Sequence, residues 1–226
     1  MTALAPRQLV LELPHRAAFG AEDFLVSPSN APAVAMIDRW QEWPRGSAVV
    51  VGPRRSGKTH LAHVWRLKAG ADMIEAGALG EADAARFSGS LLVENIDRGI
   101  RDERSLFHLL NLVREHGQAL LMTSARPPGE LEVALPDLRS RLRALPLITM
   151  GSPDAELLRA VLVKLFTDRQ LAVEPHVIAH LALHMEQSMA AANRIVAEID
   201  RRSLASHRRV SRALASEVLA DVGTSE

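Results

Sequence analysis

The sequence contains one loop whose residue types fit the binding of phosphate groups. It runs Gly52-Pro53-Arg54-Arg55-Ser56-Gly57-Lys58-Thr59, with glycines five positions apart and Lys-Thr directly after the second. Glycines let successive backbone N–H groups turn toward an anion. A lysine in this position brings a positive charge near the β- and γ-phosphates, and the threonine hydroxyl can ligate Mg²⁺. The pattern therefore predicts a phosphate-binding loop.

The residues on both sides of this loop fit the same prediction. Residues 48–51 form a short apolar run that predicts a buried strand, and residues 60–65, beginning with His60, predict a helix. A strand, a glycine loop and a helix N-terminus together create an anion site at the positive end of the helix dipole. A glycine-rich turn that binds nothing is the alternative, and this context disfavours it.

A second apolar run ends in acidic and amide residues. Residues 91–94 predict a strand that ends in Glu94, and Asn95 follows it. In phosphate-loop NTPases a carboxylate at the first position holds Mg²⁺, usually through water, so Glu94 is the candidate ligand. Asn95 stands where a hydrolytic enzyme usually has a second carboxylate, and an amide cannot accept a proton from water. Asp97 can compensate only where the strand end bends it toward the site.

Two further segments carry polar groups that this chemistry can use. Thr123 and Ser124 end a predicted strand, where a hydroxyl either contacts water or the γ-phosphate or caps the following turn. The sequence leaves both alternatives open. Residues 136–142 place several arginines on a short helical turn. One of them can act in trans on a neighbour's γ-phosphate, and a solvated basic face is the alternative.

The composition excludes several classes of protein. The 226 residues include 27 basic and 27 acidic side chains, and this zero net charge is not that of a strong nonspecific DNA binder. The absence of cysteine excludes disulfides and thiolate metal sites. No apolar run is long enough to span a bilayer, and the N-terminus lacks the pattern of a signal peptide. We therefore expect a cytoplasmic protein with no membrane partner.

Alternating strands and helices predict an α/β fold with a parallel five-stranded sheet between helices. The predicted strands cover residues 48–51, 71–74, 91–94, 119–123 and 146–149. After Met150 the pattern changes to four helices, the first of them capped by Ser152 with Pro153 in its first turn. The expected organisation is an extended segment at 1–20, a nucleotide-binding domain at 21–150 and a helical lid domain at 151–226.

Together these motifs resemble those of the AAA+ ATPases, and within them the DnaA/Hda family. The similar segments are residues 24–30, 52–61, 123–131 and 138–142. The resemblance implies ADP or ATP with Mg²⁺ as ligand, with Phe24 and Val26 near the adenine and Thr123 in the first sensor segment. It also implies that Arg141 is the arginine finger.

The chain departs from this family at two positions. Ala190 aligns with the family's sensor-2 arginine, and Arg194 follows one helical turn later on the same face. With Asn95, this departure implies weak intrinsic hydrolysis and a nucleotide that acts as a conformational ligand. The chain ends at Glu226, after the fourth predicted lid helix, so the resemblance is to Hda, an initiator ATPase domain without a DNA-binding domain.

Residues 8–13 resemble the peptide by which Hda docks on the sliding clamp, with Gln8, Leu9, Leu11 and Leu13 as the contact residues. Such a peptide binds as an extended strand whose glutamine hydrogen-bonds while its leucines fill an apolar pocket. An N-terminal strand packed on its own domain is the alternative. The position of residues 8–13 before an initiator-like ATPase core favours the clamp-binding interpretation.

The resemblance implies an adaptor that docks on the DNA-loaded clamp and stimulates ATP hydrolysis by the DnaA initiator through Arg141. It reaches DNA only through the clamp and can self-associate through its AAA+ interface. A stand-alone ATPase motor or helicase loader is the alternative, which requires fast intrinsic turnover. A third possibility is direct DNA binding by the basic residues of the C-terminal region, for which a solvated helix face is the favoured alternative. These residues are Arg201, Arg202, His207, Arg208, Arg209 and Arg212.

Overall fold

The computed structural model describes residues 24–86, 88–206 and 208–223. The strands in these residues are β1 Ser47–Val51, β2 Asp72–Glu75, β3 Leu91–Glu94, β4 Leu120–Ser124 and β5 Leu147–Thr149. The α-helices are α1 Ala31–Asp38, α2 Lys58–Ala69, α3 Glu81–Arg86, α4 Glu103–His116, α5 Pro136–Arg143, α6 Ala155–Asp168, α7 Pro175–His184, α8 Met189–Ser206 and α9 Arg212–Gly223. Every helix in the described ranges is too short or too polar to traverse a lipid bilayer.

The five strands form one sheet in the order β2-β3-β4-β1-β5, and every neighbouring pair is parallel. This confirms the predicted parallel sheet, and each strand lies within one residue of its predicted position. Strands β1, β3 and β4 are buried along their whole length, as expected where helices cover both faces. The carboxyl ends of these three neighbouring strands therefore meet at one edge of the sheet.

Alternate residues of each strand pack into two separate cores, because successive side chains point to opposite faces. On one face Val49 and Met122 pack with side chains of α4 and α5. On the other face Val50 and Leu121 pack with side chains of α1 and α2, including the fully buried Trp65. Both sheet faces are thus covered, which holds the strand ends in fixed register.

Contacts between residues divide the chain into two units, with the boundary between Ser152 and Pro153. In the second unit, α6 to α9 enclose a core of their own, with Leu162, Phe166, Leu181 and Ile199 among its buried side chains. The predicted cap of α6 was wrong. Its N-cap is Asp154 and not Ser152, because the Asp154 carboxylate accepts a hydrogen bond from the N–H of Leu157.

An ion-pair network joins α8 and α9 at the surface of this helical unit. Glu198 accepts hydrogen bonds from Arg201 and from Arg202, and Arg202 also donates to Asp221 on α9. The hydrogen bond from Arg201 is the main cause that lowers the pKa of Glu198 to about 2, and Arg202 adds to it. The network therefore favours the charged form of Glu198 in the folded chain.

We expect Glu198→Gln to change how the stability of the chain depends on pH. The folded-state pKa of about 2 lies below the ordinary value of 4.5, so Glu198 stabilises the folded state above about pH 4.5. That contribution is lost as the pH falls toward 2. Denaturant unfolding at several pH values measures it. The difference in unfolding free energy between wild type and variant should shrink from pH 5 to pH 2, and a constant difference would contradict the assignment.

Candidate nucleotide-binding site

The predicted phosphate loop joins the end of β1 to the beginning of α2. Two of its residues have positive φ, Arg55 at 67° and Gly57 at 94°. The left-handed Gly57 is the N-cap of α2 and makes no side-chain cap. The first N–H groups of a helix have no acceptor within the helix, so this turn offers donors to an anion.

Gly52 is held in a space that admits no side chain. A Cβ atom built there would lie 2.3 Å from the carbonyl oxygen of Met150 and 3.1 Å from Oγ of Ser56. The N–H of Gly52 donates to the carbonyl of Ser124, so the loop begins between β4 and the residue that follows β5. The buried Oγ of Ser56 has no hydrogen-bond partner among the described residues. This donor is available to a ligand.

The Lys58 ammonium lies close to the loop that precedes it. Its Nζ donates to the carbonyl of Pro53 at 2.7 Å. Burial lowers the pKa of Lys58 from its usual value, and the Asp97 carboxylate opposes that shift. Arg54 and Arg98 lower the pKa of Lys58 further. Among the charged groups that act on Lys58, two arginines thus oppose one carboxylate, and an added phosphate would offset this excess of positive charge.

Glu94 ends β3 as a carboxylate that is only 5% exposed. Its Oε2 lies 3.7 Å from Nε2 of His63 on α2, while its Oε1 has no hydrogen-bond partner in the described part of the chain. A buried carboxylate oxygen without a donor is costly, and a cation with its water shell would satisfy it. The carboxylate oxygen of Glu94 and the hydroxyl oxygen of Thr59 are therefore ligands of the kind that Mg²⁺ prefers.

Asn95 turns the chain sharply at the end of β3. Its φ of 59° and ψ of 45° are left-handed. Its N–H donates to Oγ1 of Thr123 at 2.9 Å, and its side-chain Nδ2 donates to both carboxylate oxygens of Glu75 at 3.0 Å. The Asn95 side chain, which stands where a hydrolytic enzyme usually has a second carboxylate, is thus hydrogen-bonded to Glu75 at the end of β2.

The hydroxyls of Thr123 and Ser124 have separate partners. Ser124 Oγ donates to the carbonyl of Arg126 and accepts a hydrogen bond from its N–H, so Ser124 caps the turn after β4. Thr123 is buried and accepts the hydrogen bond from Asn95. Of the two alternatives that the sequence left open, capping holds for Ser124, and Thr123 links β4 to β3.

Sequence reasoning missed two members of this site, His63 and Glu75. The signal for Glu75 was present, because it ends the strand next to β3 in register with Glu94. The signal for His63 was also present. His63 lies four residues after Thr59 in the predicted helix, so both side chains are on the same helix face. The structure also places the Asp97 carboxylate beside Ala125, whose N–H donates to Oδ1 at 2.9 Å.

Phe24 and Val26 lie before α1 in the same unit as the loop. The Phe24 ring meets the His60 ring of α2 edge to face, with centroids 5.1 Å apart. Val26 is 58% exposed. Asn30 fixes this segment, because its Nδ2 donates to the carbonyl of Leu25 and its Oδ1 accepts from the N–H of Ser27. An exposed apolar residue thus lies on a rigid turn whose aromatic neighbour contacts the phosphate-loop helix.

Arg141 lies at the other end of β1. Its guanidinium carbon is 4.6 Å from the centroid of the Phe107 ring, and it lines a cleft with Arg45 and Ser47. Ser47 begins β1 and Gly52 follows it, a span of about 16 Å along a strand. Arg141 therefore does not approach the phosphate loop of its own chain.

Three groups of predicted residues are not among the described residues of the unit that carries the phosphate loop. Arg194 is on α8 in the helical unit, where it pairs with Glu186 at 3.4 Å, so its nucleotide contact stays a prediction. The clamp-binding residues 8–13 and His207 lie outside the described residues. Among the C-terminal basic residues, Arg201, Arg202 and Arg208 pair with acidic side chains. This pairing lowers the positive field that direct DNA binding would need.

Comparison with known proteins gives one consistent relationship. No protein-family model matches the chain. The chromosomal replication initiator protein DnaA of Cutibacterium acnes is 27% identical over 197 residues, which cover 74% of this chain and 39% of that protein. Domain III of the Thermotoga maritima initiator DnaA superposes with a TM-score of 0.76 at 18% identity, and the match covers 92% of this chain and 98% of that domain.

The chain is related to DnaA and has its AAA+ fold. DnaA from Aquifex aeolicus with bound AMPPCP is a further match, with a TM-score of 0.68 and 17% identity over 80% of this chain and 64% of that one. The chain spans about two fifths of the length of the C. acnes DnaA. The relationship to DnaA therefore concerns its domain III, which this chain matches almost end to end.

We expect Gly52→Ala to destabilise the fold, because the added methyl group would meet the Met150 carbonyl. Overpacking of this kind costs about 1–3 kcal/mol of unfolding free energy. Gly129→Ala is the matched control, since no atom lies within 4 Å of the Cβ built there. Denaturant unfolding of both variants measures the effect. Equal stability of the two variants would show that the loop does not depend on this close approach.

Proposed function

We propose that the chain binds ADP or ATP with Mg²⁺ at the loop between β1 and α2. The support is chemical: a turn of donors at a helix N-terminus, a buried Ser56 hydroxyl without a partner, and excess positive charge around Lys58. A relative of the same fold binds the nucleotide analogue AMPPCP. Phe24 and Val26 would contact the base, and a phosphate contact of Arg194 stays a prediction from the sequence.

In this proposal Mg²⁺ is held by Thr59, Glu94 and the nucleotide phosphates. The described residues hold no cluster of three or more His, Asp or Glu side chains that would bind a metal alone. That agrees with magnesium, which usually takes one or two protein ligands together with phosphates and water. The bound ion would polarise the phosphate oxygens. Glu94 would orient it, and His63 would lie behind Glu94.

We propose that the nucleotide acts mainly as a conformational ligand, with weak intrinsic hydrolysis. Asn95 cannot accept a proton, and its amide is already bound to Glu75. A hydrolytic enzyme needs a group that positions and deprotonates water. Thr123 remains a candidate to contact the γ-phosphate, although in this structure its hydroxyl accepts from Asn95.

We further propose that the chain regulates the initiation of chromosome replication as an adaptor of the Hda type. It would contact the DnaA initiator and complete its hydrolytic site with Arg141, which returns the initiator to its ADP form. The observation that carries this proposal is the position of Arg141 at the far end of β1 from its own phosphate loop. An arginine so placed can serve a neighbouring molecule, and a finger supplied in trans accelerates phosphoryl transfer by several orders of magnitude.

In the same proposal residues 8–13 dock on the DNA polymerase sliding clamp, so that DNA is reached through the clamp. The AAA+ interface that presents Arg141 also allows self-association. All of these partners are cytoplasmic, and so we place the protein in the cytoplasm.

The test is a DnaA–ATP hydrolysis assay with sliding clamp loaded on DNA. We expect Arg141→Ala to abolish stimulation by this chain, because no guanidinium then enters the initiator's site. Arg141→Lys, which keeps a charge over Phe107 but not the planar fork, should also fail. Arg139→Ala on the exposed face of the same helix is the control and should retain stimulation. Full stimulation by Arg141→Ala would refute the role.

The same hydrolysis assay also tests whether residues 8–13 dock on the sliding clamp. Replacing Gln8 and Leu9 with Ala should remove clamp-dependent stimulation and leave nucleotide binding intact. Phosphate release by the chain alone tests the stand-alone motor or helicase-loader alternative. A rate of several turnovers per second without the initiator would favour that alternative.

A further inference from the structure

The cleft that contains Arg141 is lined by a second arginine. Arg45 and Arg141 line it together with Ser47, and apolar walls come from Pro44, Leu110 and Leu145. The cleft has a volume of about 220 Å³, and none of the described residues that line it is acidic. A concave site with charges of one sign and apolar walls concentrates their field and attracts a counter-ion. The cleft is therefore suited to an anionic group.

The backbone holds Arg45 in a conformation that costs free energy. Its φ of 59° and ψ of 21° are left-handed, a region that residues other than glycine rarely occupy. The turn is fixed on both sides of Arg45. Trp43 is buried, and a Cβ atom built on Gly46 would lie 2.3 Å from the carbonyl oxygen of Gln118. A strained residue that lines a cleft points to a role for its side chain.

The guanidinium of Arg141 is held in place by an aromatic ring. Its carbon lies 4.6 Å from the centroid of the Phe107 ring, and the residue is half-buried. A guanidinium over a ring keeps its N–H donors in its own plane, where they can bind an anion. Among the described residues neither Arg45 nor Arg141 pairs with a carboxylate. This part of the chain thus places two positive charges and no negative charge in the cleft.

The charge of the cleft fits a terminal phosphate better than a carboxylate. A carboxylate brings one negative charge and two oxygens against two guanidinium groups. A terminal phosphate brings about two negative charges and three oxygens. Planar guanidinium groups bind phosphate oxygens through paired, charge-assisted hydrogen bonds. One phosphate can therefore neutralise both arginines.

We propose that Arg45 acts together with Arg141, and that the two guanidinium groups bind the terminal phosphate of a nucleotide held by a partner molecule. The inference rests on the proposed function, in which that nucleotide is the ATP of the initiator. The phosphate loop of this chain follows the end of β1, whereas the cleft lies at its beginning, so the phosphate belongs to another molecule.

The two arginines have different tasks in this proposal. Arg141 is half-buried and fixed over Phe107, so its donors are preorganised for the charge that develops in the transition state. Arg45 is exposed, and it contacts the phosphate equally before and during the reaction. A contact of that kind strengthens binding without raising the maximal rate. Arg45 therefore sets the affinity for the partner, and Arg141 sets the rate.

The test measures DnaA–ATP hydrolysis, with sliding clamp loaded on DNA, over a range of concentrations of this chain. Arg45→Gly removes the guanidinium and suits the left-handed backbone. We expect the concentration for half-maximal stimulation to rise about tenfold, because a charge-assisted hydrogen bond is lost, while the maximal rate stays within about twofold of wild type. Arg45→Lys keeps the charge and should recover part of the affinity. Arg39→Gly removes an exposed arginine outside the cleft and should behave as wild type.

A binding measurement distinguishes a terminal phosphate from a carboxylate of the partner. The chain is titrated with DnaA that carries either AMPPCP or ADP. We expect Arg45→Gly to weaken binding to the AMPPCP form and to leave binding to the ADP form unchanged, because ADP lacks the terminal phosphate. Equal weakening of both forms would overturn the inference, since the cleft would then bind an acidic side chain of the partner.

The hydrolysis assay also separates this inference from the proposed function. Half-maximal stimulation by Arg45→Gly at the wild-type concentration, with Arg141→Ala inactive, would overturn the role of Arg45 alone. Absence of stimulation by wild type would defeat the proposed function and this inference with it. Denaturant unfolding checks that Arg45→Gly is folded. Arg45→Asn, which also tolerates a left-handed backbone, repeats the charge removal if it is not.

Discussion

The close approach of Gly52 to the carbonyl of Met150 is the constraint on which this structure depends. It forces a residue without a side chain at the end of β1, and it fixes where the phosphate loop leaves the sheet. Parallel pairing of β1 with β4 and β5 brings Ser124 and Thr149 to the same level as Val51. The loop therefore starts inside the sheet edge and is not a free surface turn. For this reason the N–H groups of the loop, the Lys58 ammonium and the Glu94 carboxylate all lie at the carboxyl edge of the sheet.

Around this point the polar ends of neighbouring strands bind each other. Asn95 joins the ends of β2, β3 and β4 through Glu75 and Thr123, and Asp97 joins β3 to the turn after β4. Two of the buried atoms that have no hydrogen-bond partner in the described part of the chain, Ser56 Oγ and Glu94 Oε1, are atoms that the loop chemistry would offer to phosphate and to magnesium.

Much of the fold follows from local pattern. The strands were predictable because short apolar runs rich in β-branched residues alternate with segments of helical periodicity. The loop was predictable because two glycines five positions apart, followed by Lys-Thr, are typical of a phosphate-binding loop. The bonds from Asn95 to Glu75 and from Ala125 to Asp97 were not predictable, since they join residues 20 and 28 positions apart. The start of α6 was misplaced because Ser152 and Asp154 can both cap a helix, and only the folded backbone selects the carboxylate.

Titration of the purified chain with Mg–ADP tests the central claim most directly, with Lys58→Ala as the paired variant. The account predicts saturable binding by wild type with a dissociation constant of about 1 mM or tighter. It predicts weakening by about tenfold or more in Lys58→Ala, because a charge-assisted hydrogen bond to phosphate is lost. Absence of binding by the folded wild type, or equal affinity in the variant, would contradict the account.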